Sequence, residues 1–352
     1  MRIHYLDNIR STTVILVVFY HVFFIFNSVI PELSVGCFNK LQYQDIILYI
    51  LHPWIMIILF IIAGISSRLY LSSHTIKEFV IARTHKLLVP STIGLFVFGW
   101  AQGLVNMTIY DAFKTIQSVP FIAKFLIIVL SGTSVLWFNQ MLWLFSMILA
   151  LIRKYENGHI YRLSVNFDII AMVLLVIPVY ISGLVLNTPV VTVYRFGVYG
   201  FTFFLGYFVF AHDEVITKIS RFSYILIVSS IMLGTVYVKL HFGENYANMP
   251  CVGCASNVAF AWITILAIFA SMKIIGNKST KVFEFIKDKS YGIYIFHYLP
   301  ISYGAFVLKK YTTLPSFACY FLLAFSSIIF SVCIFEIFRR IPVLRWCLLG
   351  IE

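Results

Sequence analysis

The chain has 352 residues, 61% of them hydrophobic and 11% charged, with a net charge of +12. A soluble fold of this length needs a charged surface, so the balance excludes a soluble globular protein and indicates a polytopic helical membrane protein. The positive excess does not indicate nucleic-acid binding: the 35 phenylalanines and 21 tyrosines lie largely in long apolar runs, and a mean hydropathy of +0.94 agrees with a bilayer environment.

Taken in chain order, the apolar runs predict an all-α architecture of ten membrane helices, near 9–31, 46–67, 91–107, 136–152, 168–186, 194–211, 222–240, 256–275, 290–308 and 314–338. Residues 121–135 are also apolar, but Gly132 and Ser134 interrupt them, which suits a re-entrant or interfacial piece. With these spans, nineteen of the 26 Lys and Arg residues fall on one side and seven on the other. The positive-inside rule then expects both termini in the cytoplasm. The first run is too long for a signal peptide and has no small-residue cleavage site after it, so it reads as a retained span. With no repeat or appended soluble region visible, residues 1–352 read as one integral membrane domain.

His21 lies deep in the first span, where an ionisable side chain is costly and usually faces a polar cavity. Eleven residues at 100° each return nearly to the starting face, so Arg10, Val14, Val18 and His21 line one side of a helix. Asp7, three residues before Arg10, is placed to pair with it. After the second span comes KEFVIARTHKLLVP, Lys77 to Pro90. Arg83 and Lys86 sit three apart on a short helix, a pairing suited to phosphates or to anionic lipid head groups, and Pro90 is expected to open the third span.

The fourth span begins LWFNQMLWLF. Trp137 and Trp143 suit a membrane interface, and Asn139 and Gln140 suit either an acceptor hydroxyl or a helix–helix cross-link. Tyr194 and Arg195 at the start of the sixth span suit an anionic or glycan ligand, or a snorkelling cation. His52 and His212 read as structural. The ninth span opens with KSYGIYIFHYLP, in which Ser290 and His297 share a face and Tyr291 is amphipathic. His297 is thus a second intramembrane histidine for a shared polar cavity.

Cys37, Cys319, Cys333 and Cys347 have no partner spacing. Cys251 and Cys254 form a lone C-x-x-C, read as two loop cysteines or a disulfide. No histidine pair has metal-binding spacing, so no metal is expected. Nucleophile-elbow, phosphate-loop and dinucleotide signatures do not occur.

Five segments in order resemble the membrane-bound acyltransferase 3 family: YLDNIR with the mid-helix His21, LFIIAGISS (Leu59 to Ser67), ARTHKLLVP, LWFNQMLWLFS and SYGIYIFH. The resemblance implies transfer of an acyl group, commonly acetyl, from cytoplasmic acyl-CoA to a hydroxyl of an extracytoplasmic glycan or lipid-linked sugar. It also implies a multi-pass location, that of a bacterial cytoplasmic membrane. His21 takes the place of the family's catalytic histidine, with Arg10 and Arg83 at its donor-binding arginines. Lys86 stands where the family has a second arginine, keeping the charge without the two-pronged fork. Ser11 stands where many members have glycine.

Asn139, Gln140, Tyr291 and His297 are further candidates for substrate contact. With no carboxylate in the apolar spans to orient His21, a backbone carbonyl or a tyrosine is expected to do so. His21 suits either a general base or a transient acyl carrier. A transporter or flippase for a glycan or small polar molecule fits the same spans and histidines as an alternative.

Overall fold

The computed structural model describes residues 3–156, 158–186 and 194–351, and among these every regular element is a helix. Six helical stretches are long and apolar enough to cross a membrane: Tyr43–Leu71, Ile76–Ile109, Ser134–Tyr155, Ser223–His241, Ala255–Ile275 and Ser316–Phe338. Shorter apolar helices occupy Phe121–Ser131, Ile169–Ser182 and Phe196–Phe210. The chain forms two compact units. One comprises Met1–Leu16, Ile46–Phe79 and Phe145–Lys287; the other comprises Val17–Asp45, Val80–Leu144 and Asp288–Glu352.

In the first unit, the helix Ile55–Leu71 crosses the segment that runs from Phe196–Leu205 into the π-helical turn Gly206–Phe210. The crossing is close because both contact positions are glycine. A Cβ on Gly64 would lie 2.0 Å from the Phe203 carbonyl oxygen, and one on Gly206 would lie 2.1 Å from that of Ile61. Small residues at such crossings let helix backbones approach where the apolar medium supplies little drive of its own. This accounts for glycine in the LFIIAGISS segment. A hairpin of Ser223–His241 and Ala255–Ile275 completes the unit. The Asn8 amide donates to the carbonyls of Gly276 (2.6 Å) and Lys278 (3.0 Å), holding the carboxyl end of the second hairpin helix. The short helix Ile76–Arg83 starts on a capping box, in which Thr75 N–H donates to Glu78 Oε2 (2.7 Å) and Glu78 N–H to Thr75 Oγ1 (3.3 Å).

Several predicted boundaries move for identifiable reasons. The first helix is unbroken from His4 to Phe24 but does not continue to Pro31. Asn27 stops it: its amide nitrogen donates to the Phe24 carbonyl, and its oxygen accepts from the N–H groups of Val29 and Ile30. The side chain thus replaces the helical partners. Pro53 divides the second span into Ile46–Leu51 and Ile55–Leu71. The apolar piece after residue 120 is a regular helix, Phe121–Ser131, which ends at Gly132. Pro90 does not open a new helix. It lies within a helical run that includes two π-helical turns, Thr84–Leu88 and Leu95–Gly99.

The Gly64 contact gives a direct test. Gly64→Val should lower the stability of the detergent-purified protein by about 1–3 kcal/mol, the usual cost of overpacking a fitted contact. Thermal unfolding measures it, and a midpoint equal to wild type would show that the two backbones do not meet there.

Candidate active site

In the second unit, two imidazoles meet. His297 Nε2 lies 3.1 Å from His21 Nδ1, with ring centroids 5.0 Å apart. His297 is fully buried and His21 is half-buried. The place of His297 follows from Pro300. A proline cannot donate to the carbonyl four residues back, and its ring crowds it, so the helix breaks there. The observed helices are Lys281–Phe296 and Tyr298–Tyr311, with His297 at the joint.

The hydrogen bonds assign the tautomers. His297 Nδ1 faces two carbonyl oxygens, Tyr294 at 2.8 Å and Ile293 at 3.1 Å, and must carry the proton. Its Nε2 is then an acceptor. His21 Nδ1 faces that acceptor and the Val17 carbonyl oxygen at 2.9 Å, so it also carries a proton. His21 Nε2 is left as an unprotonated ring nitrogen. Among the described residues, the hydrogen bonds of His21 all run through Nδ1. A ring held by one nitrogen with a lone pair on the other is the arrangement of a general base.

The Tyr298 ring stands edge-on to His21, 5.0 Å between centroids, and lines a cavity in the same unit. Its other walls include Pro90, Phe98, Gln102, Thr133 and Ser134, mostly apolar with a few polar groups. Gln102 is buried and donates to Asn106 Oδ1 (2.8 Å) and Ser302 Oγ (3.0 Å), tying one wall to the Tyr298–Tyr311 helix.

The basic segment is shaped by Pro90. In an α-helix, the N–H of residue 90 would serve the Lys86 carbonyl, and proline has none. Tyr291 supplies the missing donor, its hydroxyl lying 2.6 Å from that oxygen, and Asn139 Nδ2 donates to the hydroxyl at 3.5 Å. Gln140 Nε2 donates to the Ser91 carbonyl at 3.0 Å, next to the second π-helical turn. Of the two readings open for Asn139 and Gln140, the geometry displays the helix cross-link. Tyr291 likewise positions the basic segment. Arg83 ends its α-helix and Lys86 lies within the wider turn, so the simple α-helical face expected for the pair does not apply; Lys86 is exposed and Arg83 half-buried. Gly350, in a left-handed conformation at φ +58°, packs the chain end against this turn. A Cβ there would lie 2.3 Å from the His85 carbonyl oxygen.

Arg10 lies in the first unit, with Nη2 3.5 Å from Asp7 Oδ1, as the three-residue spacing predicted. Arg195 is buried there, at a cavity wall beside Asn257 and Trp262. The sequence left a backbone carbonyl or a tyrosine as the orienting group for His21, and the Val17 carbonyl lies on its Nδ1. The sequence put His297 only in a shared polar cavity; its direct contact with His21 was not legible there.

Among the described residues every regular element is a helix, several of them long enough to cross a membrane, which defines an integral membrane protein with two histidines in contact inside one unit. The family model described as an acyltransferase domain matches residues 3–336, nearly the whole length, and the chain belongs to this acyltransferase 3 family. Its members are membrane O-acyltransferases, and this chain is accordingly a membrane acyltransferase. No curated protein and no solved structure matches it.

Two predictions follow from these contacts. His297→Leu removes the acceptor that holds the His21 Nδ1 proton and should lower kcat by about 10–100-fold, the usual cost of losing a partner that orients an imidazole. His297→Gln, whose amide oxygen can accept the same proton, should recover part of the loss. Equal rates for the two variants would remove the orienting role. Tyr291→Phe removes the hydroxyl that donates to the Lys86 carbonyl and accepts from Asn139, and should cost about 1–3 kcal/mol in thermal stability, with an unchanged melting curve as the contrary result.

Proposed function

We propose that this acyltransferase takes its acyl group, acetyl in the first instance, from acyl-CoA on the cytoplasmic side and gives it to a hydroxyl of an extracytoplasmic glycan or lipid-linked sugar. The proposal includes ten crossings with both termini cytoplasmic, in a bacterial cytoplasmic membrane. The asymmetry of nineteen against seven cations supports that orientation. Arg10, Arg83 and Lys86 are the groups suited to the phosphates of the donor. The cavity beside Tyr298 offers apolar walls for a pantetheine arm.

The observation that carries the reading is that His21 Nδ1 faces both the Val17 carbonyl and His297 Nε2, which assigns the ring proton to Nδ1 and leaves Nε2 to accept one. In the proposed step, Nε2 takes the proton of the acceptor hydroxyl while its oxygen attacks the thioester carbon. The tetrahedral intermediate collapses, the carbon–sulfur bond breaks, and the imidazolium returns its proton to the CoA sulfur. The products are an O-acyl ester and free CoA. Asn139, Gln140 and Tyr291 act in this scheme by holding the basic segment in shape.

His21→Ala should insert and fold normally yet release CoA from acetyl-CoA about 10²–10⁴-fold more slowly, in membranes that contain the acceptor. Full turnover in that variant would overturn the role of His21. Mass spectrometry of surface glycans from cells with and without the chain tests the acceptor, since the proposal requires a difference of one acyl unit.

A further inference from the structure

The loop that joins Ser223–His241 to Ala255–Ile275 gathers four side chains whose chemistry the acyl transfer does not use. His241 is the last residue of its helix, and Glu244 Oε2 lies 2.9 Å from its Nδ1. Cys251, buried, places Sγ 3.3 Å from the same carboxylate oxygen and 3.6 Å from the same ring nitrogen. These three donor atoms lie within 4.8 Å of one another. Zinc bonds of about 2.0–2.3 Å in tetrahedral geometry put neighbouring donors roughly 3.4–3.6 Å apart. The triad is therefore already at nearly the spacing that such an ion imposes.

Three further details fit. Cys254 Sγ lies 3.4 Å from the other ring nitrogen, His241 Nε2, and accepts the Asn257 N–H at 3.4 Å, so it backs the ring from the side away from the triad. The loop is pinned from inside by Tyr49, whose hydroxyl accepts the Gly243 N–H (3.0 Å) and donates to the Glu244 carbonyl (2.5 Å). In sequence, H-x-x-E is followed after six residues by Cys251, so one short loop brings the three donors together.

We infer that His241, through Nδ1, Glu244 and Cys251 form a binding site for a zinc-class divalent cation, and that the ion staples this loop. Binding forms a metal–sulfur bond and releases the Cys251 thiol proton to water; no redox change occurs. This inference does not depend on which donor or acceptor the enzyme uses.

The test uses the full chain purified in detergent without chelator, loaded with zinc, desalted and assayed by elemental mass spectrometry. Wild type should retain a stoichiometric amount, and Cys251→Ser and His241→Ala should retain none, while Cys333→Ser, at an exposed helix position, should match wild type. Glu244→Gln alters a largely exposed side chain and leaves the fold intact. It should release zinc to a competing chelator faster than wild type does, which keeps the test informative if the other variants misfold. Cobalt loading should give the intense visible bands of a tetrahedral site with thiolate ligation. Wild-type zinc no higher than in the His241→Ala/Cys251→Ser double variant would overturn the inference. So would a Cys251–Cys254 disulfide in the unreduced, alkylated protein.

Discussion

The proposed chemistry of this chain rests on one hydrogen bond, from His21 Nδ1 toward His297 Nε2, backed by the carbonyls at positions 17, 293 and 294. Each imidazole has two nitrogens and one proton to place. Carbonyl oxygens are obligate acceptors, so they draw the His297 proton to Nδ1, which in turn makes Nε2 an acceptor for His21. The backbone thereby decides, through two rings, which nitrogen of His21 can receive a proton. No carboxylate is needed, and a charged group in an apolar setting is avoided.

Two prolines determine where these groups stand. Pro300 breaks the helix at His297 and so turns a packed histidine into a joint residue. Pro90 strips the Lys86 carbonyl of its helical donor, and the Tyr291 hydroxyl takes its place. Tyr291 and His297 belong to the same SYGIYIFH segment, six residues apart. One stretch of chain therefore fixes the basic turn at one end and orients His21 at the other.

The helical class, the membrane character and the candidacy of the histidines at 21 and 297 were legible in the sequence because they depend on composition and local spacing, whereas the number and bounds of the membrane-length helices were not. The Asp7–Arg10 pair was legible for the same reason. The amides at 139 and 140 were not: an interfacial polar side chain suits a substrate and a neighbouring helix equally, and their partners, the Tyr291 hydroxyl and the Ser91 carbonyl, lie far away in sequence. The end of the first helix at Phe24 was missed because Asn27 acts through hydrogen bonds that hydropathy does not register. The cysteine pair at 251 and 254 looked isolated because its partners, His241 and Glu244, precede it across a loop whose path the Tyr49 hydroxyl fixes.

The two wide turns at Thr84–Leu88 and Leu95–Gly99 alter how the whole run to Ile109 presents itself. Each inserts one residue into an otherwise regular coil, and one residue is worth about 100° of rotation. A helical wheel drawn from residue 76 is thus out of phase by about 100° beyond the first insertion and about 200° beyond the second. Gln102, buried, and Asn106, half-buried, lie beyond both insertions and carry that accumulated rotation. Any redesign of this segment has to preserve the phase, since deleting a single residue from either turn would swing the amides off their partners.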